Sequence, residues 1–258
     1  HYGVKRNFSI VDIPFPTMPV KRGYSSLRAV LRARRLGTDV VYTRALYTAV
    51  IAARFGFPTV FEMHGPVGDE GSLDDRLLRR LLRSRRLLRI VVITHALKRY
   101  LQEQYGVPAV RITVAPDAAD VPAESEQIAD LDSSRLHVGY VGHLYPGRGI
   151  ELLVELAGRR PDIDFHCVGG LEADIAYWRA EAAHLSNFHL HGYVPFAETQ
   201  RFRASFDVLI APYMKKVSIY GHNDDDTNTA AWMSPMKIFE YMASRSEERR
   251  VGKECIVK

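Results

Sequence analysis

Short apolar runs alternate with helical patterns along most of the chain. Eight runs are predicted to form strands, at residues 40–42, 59–62, 90–93, 112–115, 136–141, 164–168, 188–191 and 208–211. Helical patterns lie between most of them, and Gly56, Gly106 and Gly158 stand where a glycine commonly ends a helix. Continuous apolar strands joined by helical crossovers indicate parallel sheets covered on both faces. The pattern therefore predicts an α/β protein.

A polar stretch divides this pattern into two halves. From Asp120 to Ser134 the chain contains Pro122 and two serine-containing clusters, with no strong strand pattern. Exposed polar segments of this kind commonly link domains. We therefore predict a first domain over residues 1–125 and a second over residues 126–244.

A glycine-rich turn follows the strand predicted at 136–141. Residues 139–150 are GYVGHLYPGRGI, and a helical pattern begins immediately after them. A strand, a glycine loop and a helix N-terminus can receive phosphate, because free backbone N–H groups and the helix dipole favour an anion. His143 and Arg148 could add positive charge to the backbone donors. The glycine spacing matches neither GxGxxG nor a Walker loop, so a plain strand–helix turn is the alternative.

A second segment, SPMKIFEYMAS at 234–244, predicts a helix start with Ser234 as the N-cap and Pro235 in the first turn. Spacings of three and four place Lys237, Glu240 and Tyr241 on one surface of this helix. A carboxylate there can accept two hydrogen bonds from a diol such as ribose, while Ser234 would face anionic oxygen. Taken alone, the segment is equally typical of a solvated amphipathic helix.

Together these motifs resemble the retaining nucleotide-sugar glycosyltransferases of family 4, which have the GT-B fold. The matching stretches, in family order, are 40–66, 91–120, 139–157, 165–170, 188–195, 206–213 and 234–244. The resemblance implies two Rossmann-like domains with parallel sheets, the first binding the acceptor and the second the donor nucleotide. It also implies transfer of a sugar from a nucleotide diphosphate sugar to a hydroxyl acceptor with retention of configuration, in glycan, polysaccharide or glycolipid synthesis.

The resemblance assigns a role to particular residues. His64, at the end of a predicted strand, is the expected catalytic residue; for an isolated histidine, a loop position without function is the alternative. The residues expected at the donor diphosphate are Gly142, His143, Arg148, Gly149, Ser234 and Lys237. Those expected at the nucleoside are Tyr193, Val194 and Glu240. Trp232 stands where the family has the first glutamate of an E-x7-E pair, so a noncatalytic nucleotide-sugar-binding or scaffold protein is the alternative function.

From the resemblance to the family we expect both predicted domains to be incomplete. The first strand would precede His1, and the last strand and closing helices would follow the helix at 234–244. Residues 245–258 do not continue the family pattern and look like the translation of a sequencing adapter, so we expect them to be unpacked. We also expect two sheets with unpaired edges, and a 258-residue chain that is poorly soluble and has no transferase activity.

Composition and charge narrow the class of protein further. The net charge is +5 and the pI is near 9.2, a mild excess that, without a nucleic-acid-binding motif, does not indicate nucleic acid as a partner. The two cysteines, Cys167 and Cys255, exclude a disulfide scaffold and fit a reducing cytoplasm. No cofactor is expected besides the nucleotide sugar as co-substrate, and no metal at the acidic loop 224–226. The missing dinucleotide fingerprint disfavours a nicotinamide-dependent oxidoreductase.

Between Leu73 and Arg89, leucines alternate with arginines. Leu73, Leu77, Leu81 and Leu88 form a predicted helical stripe, and the arginines are Arg76, Arg79, Arg80, Arg83, Arg85, Arg86 and Arg89. One hypothesis is peripheral docking on the inner face of the cell membrane, which would suit a lipid-linked acceptor. The other, which we favour, is a packed surface helix with solvated arginines.

Overall fold

The computed structural model describes residues 9–13, 21–120, 131–217, 228–244, 248–251 and 254–257. They divide into two units, each with its own sheet. The first unit contains the described residues up to 116 together with 231–234. The second contains the described residues from 117 to 230 and from 235 onward.

The first unit alternates strands and helices around a parallel sheet in the order β1-β2-β3-β4. Its elements are α1 (Lys21–Arg35), β1 (Val41–Thr43), α2 (Leu46–Arg54), β2 (Thr59–Met63), α3 (Leu73–Leu82), β3 (Leu87–Val92), α4 (His95–Tyr105), a 3₁₀ turn (Ala109–Arg111) and β4 (Ile112–Val114). The side chains of Phe61, Ile90 and Leu97 lie in its core. The predicted parallel sheet with helical crossovers is confirmed here.

The leucine and arginine stretch forms two elements instead of one helix. Helix α3 ends at Leu82, and β3 begins at Leu87, three residues before the predicted strand. Leu88 and Arg89 therefore lie in a strand, and the predicted helical stripe is wrong at Leu88. The physical reason is that Leu87, Ile90 and Val92 are buried when this segment pairs between β2 and β4.

The second unit has a six-stranded sheet in the order β7-β6-β5-β8-β10-β9. Its elements are β5 (Leu136–Val141), α5 (Ile150–Arg159), β6 (Ile163–Val168), α6 (Glu172–Glu181), β7 (Phe188–Gly192), a 3₁₀ turn (Phe196–Glu198), α7 (Thr199–Ser205), β8 (Val208–Ala211), α8 (Met236–Ala243), β9 (Glu248–Val251) and β10 (Glu254–Val257). Strands β5 to β8 are parallel, as predicted, whereas β10 runs antiparallel to both β8 and β9.

The expectation that residues 245–258 are unpacked is wrong for the two strands in this segment. Strand β10 pairs with β8, with Cys255 opposite Ala211. A strand at the edge of a sheet exposes unpaired N–H and C=O groups that favour any available partner strand. The edge of β8 is therefore covered by β10.

The predicted helix ends are correct at two of the three glycines. Gly106 ends α4 in the left-handed conformation, with φ of 64°, and Gly56 follows α2 with φ of 90°. Gly158 instead lies inside the last turn of α5. The amide of Asn187 donates hydrogen bonds of 2.7–3.1 Å to three carbonyl groups at and after the end of this helix, which makes a glycine cap unnecessary.

A chain of three histidines crosses β5, β6 and β7. His137 Nε2 donates to the carbonyl oxygen of Asp132 over 2.9 Å, so in the neutral ring Nδ1 must accept a hydrogen bond. It accepts from Nε2 of His166 at 3.0 Å, and Nδ1 of His166 accepts from Nε2 of His191, also at 3.0 Å. Burial, aided by the neighbouring histidines, lowers the pKa of His166 to about 3, and burial also lowers that of His191. The rings of His166 and His191 therefore stay neutral, which for His166 is what the hydrogen bond accepted by its Nδ1 requires.

One glycine fixes the turn between β5 and α5. Gly149 is the N-cap of α5 and has φ of 83°. A Cβ atom at this position would lie 1.8 Å from the carbonyl oxygen of Pro212, which follows β8. Only glycine fits both the conformation and the space.

Because the histidine chain needs neutral rings, the free energy of unfolding of the second unit should fall in acid. In the unfolded chain a histidine has a pKa near 6.5, so between about pH 6.5 and about pH 3 the unfolded state binds more protons. The contribution is thus complete above about pH 6.5 and is lost as the pH falls towards 3. Urea unfolding, followed by NMR signals of β5 to β7 at about pH 7.5 and about pH 5, measures it. His166→Gln should reduce the pH dependence, whereas His184→Gln, at an exposed position, should not.

Gly149→Ala should destabilise the second unit by about 1–3 kcal/mol, because it adds a side chain at positive φ against the backbone of Pro212. Gly158→Ala is the matched control, since its Cβ would meet only Leu185, at 3.8 Å, inside a helix. It should stabilise by about 0.5–1 kcal/mol. The midpoints of urea unfolding of the two variants measure these changes in stability. Equal changes in the two variants would contradict the conclusion that only glycine fits at position 149.

Candidate functional site

The turn after β5 brings its backbone next to the first turn of α8. Gly142 has φ of 152°, and a Cβ atom there would lie 2.7 Å from Nζ of Lys237. Gly142 and Gly149 thus bracket a turn in which backbone, helix start and a basic side chain are close together. Such a combination suits a ligand with negatively charged oxygens.

Lys237 places its ammonium group among tyrosine rings. Nζ donates to the hydroxyl of Tyr140 and lies 3.9 Å from the centroid of that ring and 5.1 Å from that of Tyr213. The Tyr140 hydroxyl in turn donates to the carbonyl oxygen of His143. Burial of the ammonium group lowers the pKa of Lys237 well below its usual range, and the charge of Arg148 lowers it further. The ring faces only partly replace the lost hydration.

Arg148 shares this aromatic environment. The central carbon of its guanidinium group lies 5.2 Å from the ring centroid of Tyr145 and 5.3 Å from that of Tyr213. Its Nε is buried and has no hydrogen-bond partner among the residues that the structure describes. The ring of His143 stacks on Tyr145 at 4.8 Å. Desolvation, together with the charges of Arg148 and Lys237, lowers the pKa of His143, so its ring is neutral rather than cationic near neutral pH.

Glu240 contacts an arginine that the sequence analysis did not identify. Its Oε2 lies 3.5 Å from Nη1 of Arg203, which also donates to the hydroxyl of Thr199 at 2.9 Å. The Glu240 side chain is only 17% exposed. Arg203 lies on α7, which contains no recognisable motif, so its contact with α8 could not be predicted from spacing.

The start of α8 differs from the prediction by one residue. The helix begins at Met236 with Pro235 in the N-cap position, so Ser234 is not the N-cap. The extended φ and ψ of Pro235, −77° and 104°, are the reason that the helical turn starts after it. Ser234 belongs to the segment that packs with the first unit. Its expected contact with the diphosphate stays a prediction.

Tyr241 joins α8 to β5. Its buried hydroxyl accepts a hydrogen bond from the N–H of Val141 at 2.8 Å and donates to the carbonyl oxygen of the same residue at 3.2 Å. The expected neighbours Lys237, Glu240 and Tyr241 therefore all face other parts of the second unit. A solvated amphipathic helix does not describe this segment.

The two residues expected near the base lie directly after β7. Tyr193 is 76% exposed, and Val194 packs against the apolar cluster that contains Val141 and Phe206. Tyr193 is thus available to a ligand, while Val194 anchors the segment.

In the first unit, His64 belongs to a polar cluster that continues from β1 and β2. Its Nδ1 lies 3.0 Å from Nη2 of Arg44, and its Nε2 contacts Oε1 of Glu62. The hydroxyl of Tyr42 donates to the other oxygen of Glu62, which raises the pKa of Tyr42 to about 12. Burial alone would raise the pKa of Glu62, but the hydrogen bonds from Tyr42 and His64 lower it. Residues two positions apart in a strand lie on the same face. Given His64, this spacing could have predicted Glu62 as its neighbour, and in the same way it relates Arg44 to Tyr42.

Trp232, in place of a family glutamate, has a packing role in the first unit. Its ring contacts that of Tyr100 with centroids 5.4 Å apart, and its carbonyl oxygen accepts from the hydroxyl of Thr94 at 3.2 Å. It lies against the core that contains Leu97. This position therefore carries an apolar ring inside a packed unit.

The described residues contain neither a metal-binding cluster nor a membrane-spanning helix. Within the described residues, no group of three or more His, Cys, Asp or Glu side chains is placed to hold a metal ion. The acidic loop 224–226 lies outside those residues. Among the helices of the described part of the chain, none combines the length and apolar character that crossing a bilayer requires.

Comparison with known proteins identifies related sequences and folds. Residues 3–121 match the family model of Glycosyltransferase Family 4. No match was found among curated proteins.

Solved structures extend the similarity to both units. A glycosyltransferase from Rickettsia africae has a TM-score of 0.63 at 15% identity, over 80% of this chain and 60% of that one. HepE from Anabaena, in complex with UDP, has a TM-score of 0.57 at 17% identity, over 77% and 59%. The catalytic domain of starch synthase IV from Arabidopsis thaliana, bound to ADP and acarbose, has a TM-score of 0.55 at 11% identity, over 87% and 69%.

This chain spans about 60% of the length of the first two of these proteins. At such identities the comparison establishes the fold. The chain therefore has the GT-B fold, and the resemblance to the family 4 glycosyltransferases predicted from its motifs is confirmed.

Proposed function

We propose that this protein is a glycosyltransferase that moves a sugar from a nucleotide diphosphate sugar to a hydroxyl acceptor, with retention of configuration. The observation that carries the proposal is the placement of Arg148 and Lys237 against the same ring, that of Tyr213, beside the glycine turn. Burial of Lys237 and the charge of Arg148 both disfavour the protonated form of the lysine. A diphosphate would offset both costs, because it supplies two neighbouring anionic groups.

In this proposal the second unit binds the donor. Gly142, Gly149 and the N-terminus of α5 provide the backbone side of the diphosphate site, with Arg148 and Lys237 as its charged groups. His143, neutral in the structure, would gain a proton more readily beside a bound phosphate. Glu240, Tyr193 and Val194 would contact the nucleoside.

The chemical demand of the reaction is the negative charge that builds on the leaving diphosphate as the bond to the sugar breaks. Groups that are already oriented towards that charge lower the barrier most effectively. Arg148, Lys237 and the start of α5 supply such groups without a metal ion, so the nucleotide sugar is the only co-substrate that we propose. HepE was solved with UDP and starch synthase IV with ADP, which supports a nucleotide donor and makes UDP a suitable probe.

On the acceptor side, we propose that His64 is the residue beside the reacting sugar.

We place the reaction in the cytoplasm, in the synthesis of a glycan, polysaccharide or glycolipid. Leu78, Leu81 and Leu82 of α3 are buried, which favours the packed-helix interpretation of this segment over membrane docking.

A noncatalytic nucleotide-sugar-binding protein is the second candidate. It is favoured by Trp232, which packs on Tyr100 where the family has a carboxylate. Transfer or hydrolysis of any member of a panel of nucleotide sugars by the protein would eliminate this candidate. Nucleotide binding with no turnover of the panel would favour it. The expectation that the 258-residue chain by itself has no transferase activity stays a prediction.

Arg148→Ala should weaken UDP binding by about 1.5–3 kcal/mol, the range for a hydrogen bond to a charged group. Uridine binding should barely change, because uridine has no diphosphate. Isothermal titration calorimetry with both ligands measures the difference. Arg160→Ala is the control, since Arg160 pairs with Asp162 on the surface and should leave both affinities unaltered. If affinity for uridine falls as much as that for UDP, Arg148 has a structural role.

Glu240→Gln should weaken the binding of nucleotides whose ribose carries both hydroxyl groups. The loss of affinity should be larger for UDP than for its 2′,3′-dideoxy analogue, because only UDP presents two hydroxyl groups to the carboxylate. Competition binding with the two nucleotides provides the measurement. An equal loss would mean that Glu240 serves only to hold Arg203.

A further inference from the structure

The contacts of His64 determine where its ring carries a proton. A guanidinium group only donates hydrogen bonds, so Nδ1 of His64, 3.0 Å from Arg44, must be an unprotonated acceptor. The ring proton is then on Nε2, which faces Oε1 of Glu62. A carboxylate accepts this hydrogen bond, so both contacts favour the same tautomer.

Glu62 is itself oriented by a second donor. Its Oε2 accepts from the hydroxyl of Tyr42, and its lowered pKa keeps it ionised near neutral pH. Strands β1 and β2 are parallel neighbours in which Tyr42 pairs with Val60, so the cluster crosses from one strand to the next at their carboxyl ends. Glu62 and His64 have side chains 19% and 27% exposed, which leaves the contact between them within reach of a ligand.

We propose that Arg44 and Glu62 are positioning residues that hold His64 as the neutral Nε2–H tautomer, so that His64 and Glu62 together bind a neutral substrate hydroxyl. This inference rests on the proposed sugar transfer. A hydroxyl group both donates and accepts, so one that inserts between Nε2 of His64 and Oε1 of Glu62 can replace their direct contact. It then accepts from Nε2–H of His64 while it donates to Glu62. A phosphate or carboxylate group can only accept and is repelled by Glu62. The pair therefore selects a hydroxyl of a sugar or polyol over an anionic group.

The first test determines the tautomer of His64. In the ¹⁵N-labelled protein at about pH 7.5, NMR correlations between ring protons and ring nitrogens show which nitrogen carries the proton. We expect the Nε2–H tautomer in the wild type. Arg44→Met, which removes the donor to Nδ1, should allow a detectable population of the Nδ1–H tautomer, whereas Arg44→Lys, which keeps a donor, should behave like the wild type. Tyr47→Phe, which removes a hydroxyl that contacts Asp74 instead, is the control. An Nδ1–H tautomer in the wild type, or the absence of this tautomer from Arg44→Met, would overturn the proposal.

The second test is kinetic and uses the nucleotide sugar that the panel identifies. Glu62→Leu should lower kcat by about 10-fold or more with an unchanged KM for the donor, because the acceptor hydroxyl loses its orientation. Glu62→Gln, which keeps an acceptor oxygen, should recover part of the rate. Wild-type kcat in Glu62→Leu would refute the role in hydroxyl binding. A protein that transfers no sugar would refute the proposed function and the hydroxyl role with it, while the NMR result would still decide the tautomer.

Discussion

The burial of Lys237 beside Arg148 is the feature on which the candidate site of the second unit depends. Both side chains reach the same group of tyrosine rings, and burial weakens the hold of Lys237 on its proton. Proteins rarely bring like charges into a poorly hydrated place unless a ligand or partner of opposite charge uses them. The glycine turn, the ring of Tyr140 and the start of α8 all maintain this arrangement, since each contacts one of the two basic groups or the backbone beside them.

The two candidate sites use the same structural rule in different units. His64 follows β2, and the glycine turn follows β5, so each lies at the carboxyl end of a strand in a parallel sheet. In the first unit the polar groups satisfy one another through short-range contacts between neighbouring strands. In the second unit Arg148 and Lys237 lie against one tyrosine ring, and we propose that an anionic ligand group is their partner. This difference in electrostatic character is what separates a site suited to hydroxyl groups from one suited to phosphate.

The sequence was most informative where burial on both faces requires a continuous run of apolar residues. Strands β5 and β8 were predicted to the residue because each is a short apolar run enclosed on both faces. It was least informative where a partner comes from far along the chain, as with Arg203 and Glu240 or with β10 and β8. Leu88 shows a third case, since a leucine repeat at helical spacing also fits a strand when neighbouring strands are available. Individual site residues such as His64 and Glu240 were predicted from the sequence. The side chains that contact and orient them, such as Glu62 and Arg203, were not.

Trp232 has a consequence for the order in which the chain folds. The first unit draws its strands from residues up to 114, yet the ring that packs on Tyr100 comes from residues 231–234. During synthesis, the elements of the second unit from β5 to β8 emerge from the ribosome before this tryptophan does. The first unit must therefore wait, with part of its apolar surface uncovered, until the later part of the chain has been made. Its packing can be completed only after residues 231–234 have been made.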